Sequence, residues 1–161
     1  MSFIKKNKKD VNNKYFAVCG VVEIDQKILL VRHTYGTAEG RILIPGGFVK
    51  ENELPTKAVE REILEETGVK AVAESVIATQ FKSNQWCIVF KMKYCDGVPE
   101  SDGYENSETL LLTPTEALQR NDLTNMSRKI LVAYQNSCSE LTKSDYISKS
   151  CSEDDYVIFG V

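Results

Sequence analysis

Apolar residues follow two different periods along this chain, and each period predicts a different kind of element. The stretches 15–24 and 27–33 are apolar and β-branched, and Asp25-Gln26 between them suits a turn. They predict a β-hairpin near the start of the chain. A shorter apolar segment, 42–44, is followed by Pro45-Gly46-Gly47, which predicts that this strand stops there.

After Gly47 the apolar residues follow the period of a helix, and further along the chain they follow the period of strands again. Pro55 suits the first position of a helix and Gly68 suits the residue after its end, so a helix is predicted from about Pro55 to Thr67. Further strands are predicted over 69–81, 85–94 and 108–112, with a capping box at 113–116 that opens a short helix and a second helix over 127–135. This mixture predicts an α/β layered sandwich.

The composition is that of one soluble globular domain. The 161 residues are 42% hydrophobic and 27% charged, and the net charge of −3 argues against a nucleic-acid partner. No apolar run reaches the ~18 residues of a membrane span, and no secretory signal is visible. Five cysteines without a C-x-x-C pair and a single histidine argue against a zinc site and a disulfide scaffold. We therefore expect a cytoplasmic protein with reduced thiols and no membrane partner.

The predicted helix carries three carboxylates on one side. Glu62, Glu65 and Glu66 are three or four residues apart, so they spread over only about 100° of the helix surface. The like-charge pair four apart costs a helix about 0.2–0.5 kcal/mol. A solvated, glutamate-rich face is one interpretation. The other is a site for Mg²⁺ or Mn²⁺, because clustered oxygen ligands suit these ions and Mg²⁺ joins carboxylates to substrate phosphates.

The spacing of the stretch favours the second interpretation. It reads Gly47, five residues, Glu53, seven residues, Arg61-Glu62-Ile63, one residue, Glu65-Glu66, one residue, Gly68-Val69. This pattern resembles the Nudix box at every defined position, although Asn52 stands where many relatives have glycine. The resemblance implies a Nudix-type α/β/α sandwich with a mixed β-sheet. It also implies metal-dependent hydrolysis of a pyrophosphate bond in a nucleoside diphosphate linked to another moiety.

The same resemblance implies roles for individual residues. The matched metal ligands, for Mg²⁺ or Mn²⁺, are Gly46 through its carbonyl oxygen and Glu62, Glu65 and Glu66 through their carboxylates. One of these glutamates is implied to be the general base, and which one stays open. Arg61 and Glu53 are implied to pair and to orient the loop against the helix.

Residues outside the box are candidates for contacts with a substrate. Arg32 ends the second strand, where several relatives have an arginine that touches substrate phosphate, although a surface ion pair fits it equally well. Tyr35 and Phe48 flank the box and suit stacking on a base. Glu105 follows the long strand and is a candidate for an additional base or metal ligand, with a surface charge as the alternative.

We expect three parts: a basic N-terminal arm over 1–14, a Nudix hydrolase domain over 15–136, and an extension over 137–161 that packs on this domain or mediates a homodimer. The expected partner is a small molecule of the nucleoside diphosphate type, such as ADP-ribose or a modified nucleotide. The alternative is a catalytically silent Nudix domain that binds a nucleotide and has a regulatory role. The intact glutamates favour the enzyme, because a sensor does not need all three.

Overall fold

A mixed β-sheet runs through the part of the chain that the computed structural model describes, which is residues 15–145 and 157–160. The strands are β1 (Tyr15–Ile24), β2 (Lys27–His33), β3 (Ile42–Leu43), β4 (Gly46–Phe48), β5 (Lys70–Phe81), β6 (Gln85–Asp96), β7 (Asn106–Leu112) and β8 (Leu141–Thr142). Their order is β3-β2-β1-β6-β5-β8, with β4 paired to β1 and β7 to β2. The β1–β6 pair is parallel and the other pairs are antiparallel.

Helices cover both faces of this sheet. They are α1 (Pro55–Thr67), α2 (Pro114–Gln119) and α3 (Asn125–Gln135). Because neighbouring strand residues point to opposite faces, Val22 packs in a core with Ile63 of α1, while Val21 packs in a second core with Leu131 of α3. The two cores give the predicted α/β/α sandwich with a mixed sheet.

The local backbone agrees with most of the predicted boundaries. Helix α1 has the predicted limits, and Gly68 ends it with φ of 69°. The hairpin turn has φ of 49° at Asp25 and 64° at Gln26, and Asn52 has φ of 61°. Asparagine tolerates this left-handed region better than most residues, so the loop keeps its turn without glycine. The capping box at Thr113 is also present.

The strand predicted over 42–44 does stop before Pro45, but the further strand that follows it was not predicted. The chain does not leave the sheet at Pro45-Gly46-Gly47, because Gly46–Phe48 forms β4 along β1. Glycines have no side chain to show the alternation of a strand, so the ladder could not be read from the pattern. Helix α3 and β7 also begin two residues earlier than predicted, at Asn125 and Asn106. No helix in the described ranges is long and apolar enough to cross a membrane.

The described parts of the C-terminal extension contact the sheet. Leu141 and Thr142 pair with Val76 and Ser75 of β5. Phe159 forms a bridge with Lys143, and its ring centroid is 5.8 Å from that of Phe90 in the core. The described parts of the extension therefore contact the same domain, and the homodimer stays a prediction. The basic arm over 1–14 lies outside the described residues.

We predict that Phe159→Ala lowers the free energy of unfolding by about 1–3 kcal/mol, since a partly buried ring loses its contact with the core. Urea unfolding at neutral pH measures this change. The matched control is Tyr104→Ala, because the Tyr104 side chain is 83% exposed. Equal unfolding midpoints for the two variants would show that the extension does not stabilise the domain.

Candidate active site

The guanidinium of Arg61 is the centre of the predicted site. Its Nε and Nη2 donate to the two carboxylate oxygens of Glu53 at 2.7 and 2.8 Å. Its Nη1 donates to Glu62 at 2.6 Å and to Glu65 at 3.0 Å, and Nη2 also donates to the carbonyl oxygen of Phe48 at 3.1 Å. A guanidinium has five N–H donors, so these five contacts use all of them. One cation therefore binds three carboxylates.

Glu53 fastens the loop between β4 and α1 to the helix. Besides its two contacts with Arg61, it accepts a hydrogen bond from the backbone N–H of Lys50 at 2.9 Å. The Arg61 guanidinium is the main reason why the pKa of Glu53 falls to about 2, and the Lys50 N–H also contributes. This geometry supports the expectation that Arg61 and Glu53 pair and orient the loop against the helix.

Glu66 lies on the inner side of α1, between the helix and the sheet. It is 3% exposed, and its Oε2 accepts a hydrogen bond from the backbone N–H of Gly46 at 3.2 Å. Its pKa is raised to about 8, mainly because of burial; the charges of Glu62, Glu105 and Asp102 also raise it, and the hydrogen bond from Gly46 opposes the rise. Burial likewise raises the pKa of Glu62, although Arg61 opposes the rise. The carboxylates of Glu62 and Glu66 therefore lie in a region where several negative charges are close together.

The two glycines of β4 allow this crowding. A Cβ on Gly47 would lie 2.4 Å from the carboxylate carbon of Glu62. A Cβ on Gly46 would lie 2.1 Å from the carbonyl oxygen of Val18. Both distances are far below contact distance, so only glycine lets β4 approach α1 and β1 this closely.

The carboxylates do not form a closed cage in this arrangement. Within residues 15–145 and 157–160, no group of three or more His, Cys, Asp or Glu side chains is placed so that it could hold a metal ion. The physical reason is that Glu62 and Glu65 turn toward Arg61, while Glu66 turns toward Gly46. The donor set nevertheless suits a hard dication, because it consists of carboxylate and carbonyl oxygens with excess negative charge.

A cleft of about 700 Å³ opens beside this cluster. Gly46, Glu62 and Glu105 line it, and so do the aromatic candidates Tyr35 and Phe48. The Tyr35 hydroxyl lies 3.5 Å from Glu105 Oε2. The cleft thus joins an acidic side to two aromatic rings that are 52% and 55% exposed. Glu65 is also exposed and borders the acidic side without lining the cleft.

Arg32 is the one predicted substrate contact that the structure places elsewhere. Its Nε donates to Glu108 at 2.8 Å, and its Nη1 donates to Asp122 at 2.9 Å and to the carbonyl oxygen of Gly40 at 2.8 Å. Arg32 does not line the cleft. The structure thus shows the ion pairs of the alternative, with carboxylates from β7 and from the loop before α3, and a contact of Arg32 with substrate phosphate stays a prediction.

Two residues that support the site were not predicted. Asp102 Oδ1 accepts hydrogen bonds from the backbone N–H groups of Tyr104, Glu105 and Asn106, and so shapes the loop that carries Glu105. The buried Asn106 donates from Nδ2 to the carbonyl oxygen of Glu66 at 2.7 Å. The Asp102-Gly103 dipeptide is typical of a turn, so the sequence could have indicated this loop. Asn106 had no such signal, since its partner is 40 residues away.

We predict that Glu53→Gln lowers the free energy of unfolding at pH 7 by about 1.5–3 kcal/mol, because it removes a carboxylate that is hydrogen-bonded to a guanidinium. Folding lowers the pKa of Glu53 from 4.5 to about 2, so its contribution is complete above pH 4.5 and is lost as the pH falls toward 2. The stability difference between wild type and variant should shrink across that window. Urea unfolding at several pH values measures it.

Glu51→Gln is the matched control, because Glu51 is an exposed glutamate of the same loop. Its effect should stay within about 0.5 kcal/mol. A Glu53→Gln effect no larger than the control, or one that does not change between pH 4.5 and 2, would contradict the proposed role of the pair.

Known proteins resemble the chain in both sequence and structure. The family model described as NUDIX domain matches residues 13–134. The crystal structure of a NUDIX hydrolase from Nitrosomonas europaea superposes with a TM-score of 0.71 at 24% identity, covering 78% of this chain and 72% of that one. At this identity the superposition shows the fold alone.

Two curated relatives match shorter parts. An ADP-ribose pyrophosphatase from Methanocaldococcus jannaschii is 43% identical over 61 residues, which are 38% of this chain and 36% of that protein. A MutT-like protein from Streptomyces ambofaciens is 31% identical over 103 residues, which are 62% of this chain and 64% of that protein. The chain thus spans less than two thirds of either relative. The match over residues 13–134, together with the sandwich and the Arg61-centred box, shows that the chain belongs to the NUDIX domain family.

Proposed function

We propose that this chain hydrolyses the pyrophosphate bond of a nucleoside diphosphate linked to another moiety, with Mg²⁺ or Mn²⁺ as cofactor. The observation that carries the proposal is the cleft, in which an acidic side faces exposed aromatic rings. A nucleotide has the same two parts, a base that can stack and a chain of phosphates. The aromatic side suits the first part, and the acidic side suits the second only with dications present.

The charge of the site is the argument for dications. A diphosphate is an anion, and the acidic side of the cleft holds Glu62 and Glu105 with Glu66 behind them. Lys50 is the one Lys or Arg among the described residues that line the cleft. Bound dications would neutralise the phosphate charge and lower the pKa of a coordinated water. Gly46, Glu62, Glu65 and Glu66 would hold them.

The residues of the chain would position the substrate and accept the proton. Arg61 keeps Glu53 and the loop in place, so that α1 holds Glu62 in the cleft wall with Glu65 and Glu66 next to it. Binding a dication requires Glu62 and Glu65 to give up their contacts with Nη1, while the two contacts with Glu53 can stay. One of Glu62, Glu65 and Glu66 then accepts the proton of the attacking water, and Tyr35 and Phe48 orient the nucleobase.

ADP-ribose is a reasonable first substrate to test. The relative from Methanocaldococcus jannaschii carries the name of an ADP-ribose pyrophosphatase, and its match covers 61 residues of this chain. The aromatic side of the cleft is compatible with any base, since stacking is tolerant of sequence. The family of nucleoside diphosphate compounds therefore has to be compared side by side.

A catalytically silent, nucleotide-binding domain is the second candidate. The contacts of Arg61 with Glu62 and Glu65 favour it, because they hold two of the proposed metal ligands away from a common point. Such a domain would bind nucleotides in the cleft and release no product. The two candidates therefore differ in turnover and agree in binding.

A substrate panel separates them. ADP-ribose, dinucleoside polyphosphates and nucleotide sugars are incubated with the protein and Mg²⁺ or Mn²⁺, and products are scored by release of phosphate after phosphatase treatment. The proposal expects turnover that a chelator abolishes. Binding of the panel compounds with no turnover under either ion would establish the silent domain.

We predict that Glu65→Gln and Glu66→Gln each lower kcat by about 10²–10⁴-fold on the best substrate, since each removes a candidate metal ligand and proton acceptor. The variant with the larger loss and a changed pH–rate profile identifies the base. Glu60→Gln is the matched control on the same helix, and it should retain kcat within a few-fold. Turnover like that of the wild type in both variants would refute the assignment.

We predict that Tyr35→Ala and Phe48→Ala raise KM about 5–150-fold, because stacking of a base on an aromatic ring contributes about 1–3 kcal/mol. Steady-state kinetics with the best substrate measures this effect. Tyr104→Ala removes a more exposed ring that does not line the cleft, so its KM should not change. If all three variants have the KM of the wild type, the aromatic side does not bind the base.

A further inference from the structure

Two thiols meet in the wall of the cleft, on adjacent central strands. Cys19 is on β1 and Cys87 is on β6, and their Sγ atoms are 3.9 Å apart. Both residues line the cleft, so a small ligand in the cleft can reach them. Cys19 is also the partner of Gly46 in the β1–β4 ladder, which places the thiols beside the acidic side. From this geometry we propose that Cys19 and Cys87 form a binding site for a soft, thiophilic dication of the zinc class.

The register of the strands argues against a disulfide bond between Cys19 and Cys87. Cys19 pairs with Val89 and Cys87 pairs with Ala17, so the two cysteines are diagonal neighbours, two residues out of register. Diagonal neighbours on adjacent strands have Cα atoms about 7–8 Å apart. A disulfide requires about 4.4–6.8 Å. Closing the bond would therefore move two central strands of the sheet.

The observed spacing suits a bridging ion instead. Thiolate sulfurs bind zinc at about 2.3 Å, and a tetrahedral angle between two such bonds places the sulfurs about 3.8 Å apart. The Sγ atoms are already 3.9 Å apart, so binding needs no change of the backbone. Because β1 and β6 are paired over eight residues, the sheet holds this spacing rigidly.

The pair supplies two ligands and not a complete cage. The described residues contain no cluster of three or more His, Cys, Asp or Glu around a common point, so water or a ligand in the cleft would complete the coordination. Ligand softness keeps this site separate from the carboxylates, because thiolates select zinc-class ions while carboxylates suit Mg²⁺ and Mn²⁺. The sequence does not indicate this thiol pair, because the two cysteines are 68 residues apart and form no C-x-x-C pattern.

Cadmium alone is the probe for this site, because Cd²⁺ bound to thiolates has an ultraviolet charge-transfer absorption that carboxylate ligands do not produce. The full chain, with its thiols kept reduced by a phosphine, is titrated with Cd²⁺ in the presence of excess Mg²⁺. We expect one equivalent to bind with this absorption, and the same absorption to develop when Cd²⁺ displaces Zn²⁺ that was bound first. A chain with Cys95→Ser, Cys138→Ser and Cys151→Ser should behave in the same way. Cys19→Ser and Cys87→Ser should each weaken binding by more than about tenfold.

A second measurement uses the unaltered protein, in case a serine in the cleft wall disturbs folding. Cd²⁺ should slow the alkylation of Cys19 and Cys87, read by peptide mass spectrometry, and leave the exposed Cys95 unaffected. Absorption that persists in Cys19→Ser or Cys87→Ser, no thiolate absorption in the wild type, or equal protection of all cysteines would each overturn the proposal. These assays need no turnover, so they are independent of the proposed hydrolase activity.

Discussion

The arrangement of the site depends on one saturated guanidinium. Arg61 donates all five of its hydrogen bonds, four of them to three carboxylates and one to a backbone carbonyl oxygen on β4. Without this cation, the glutamates of α1 would repel each other across a helix that is partly buried. A hydrogen bond between charged groups contributes about 1.5–3 kcal/mol, which is larger than the about 0.2–0.5 kcal/mol that a like-charge pair costs a helix.

The same guanidinium also joins elements that are distant in the chain. Its contacts reach Phe48 at the end of β4 and Glu53 in the loop, so the loop that leads from the sheet into α1 has a fixed path. Asn52 completes this path with a left-handed backbone. Because β4 is itself paired to the central strand β1, the positions of the carboxylates are fixed relative to the middle of the sheet. A site that positions two substrate parts within a few ångströms needs such a foundation.

Close approach between elements is what gives the cleft its chemistry. Gly46 and Gly47 let β4 come within reach of Glu62 and Glu66, which concentrates negative charge on one side. The acidic side then borders the thiols of Cys19 and Cys87 in the wall of the same cleft. Hard oxygen ligands and soft sulfur ligands are therefore adjacent in one cavity, and the proposals for the two sets rest on different physical properties of the ligands.

The sequence by itself determined several local features. The limits of α1, the hairpin turn and the carboxylates on one face of the helix follow from periods of 2 and 3.6 residues and from the turn and cap preferences of single residues. The spacing of the box, which indicates the family, is also a local property. Tertiary structure decided the rest: β4 along β1, Arg32 among carboxylates, Asn106 beneath Glu66, and Cys19 beside Cys87. Each of these depends on which strands and loops become neighbours, and contacts between residues 27 to 90 positions apart leave no mark on the pattern near either partner.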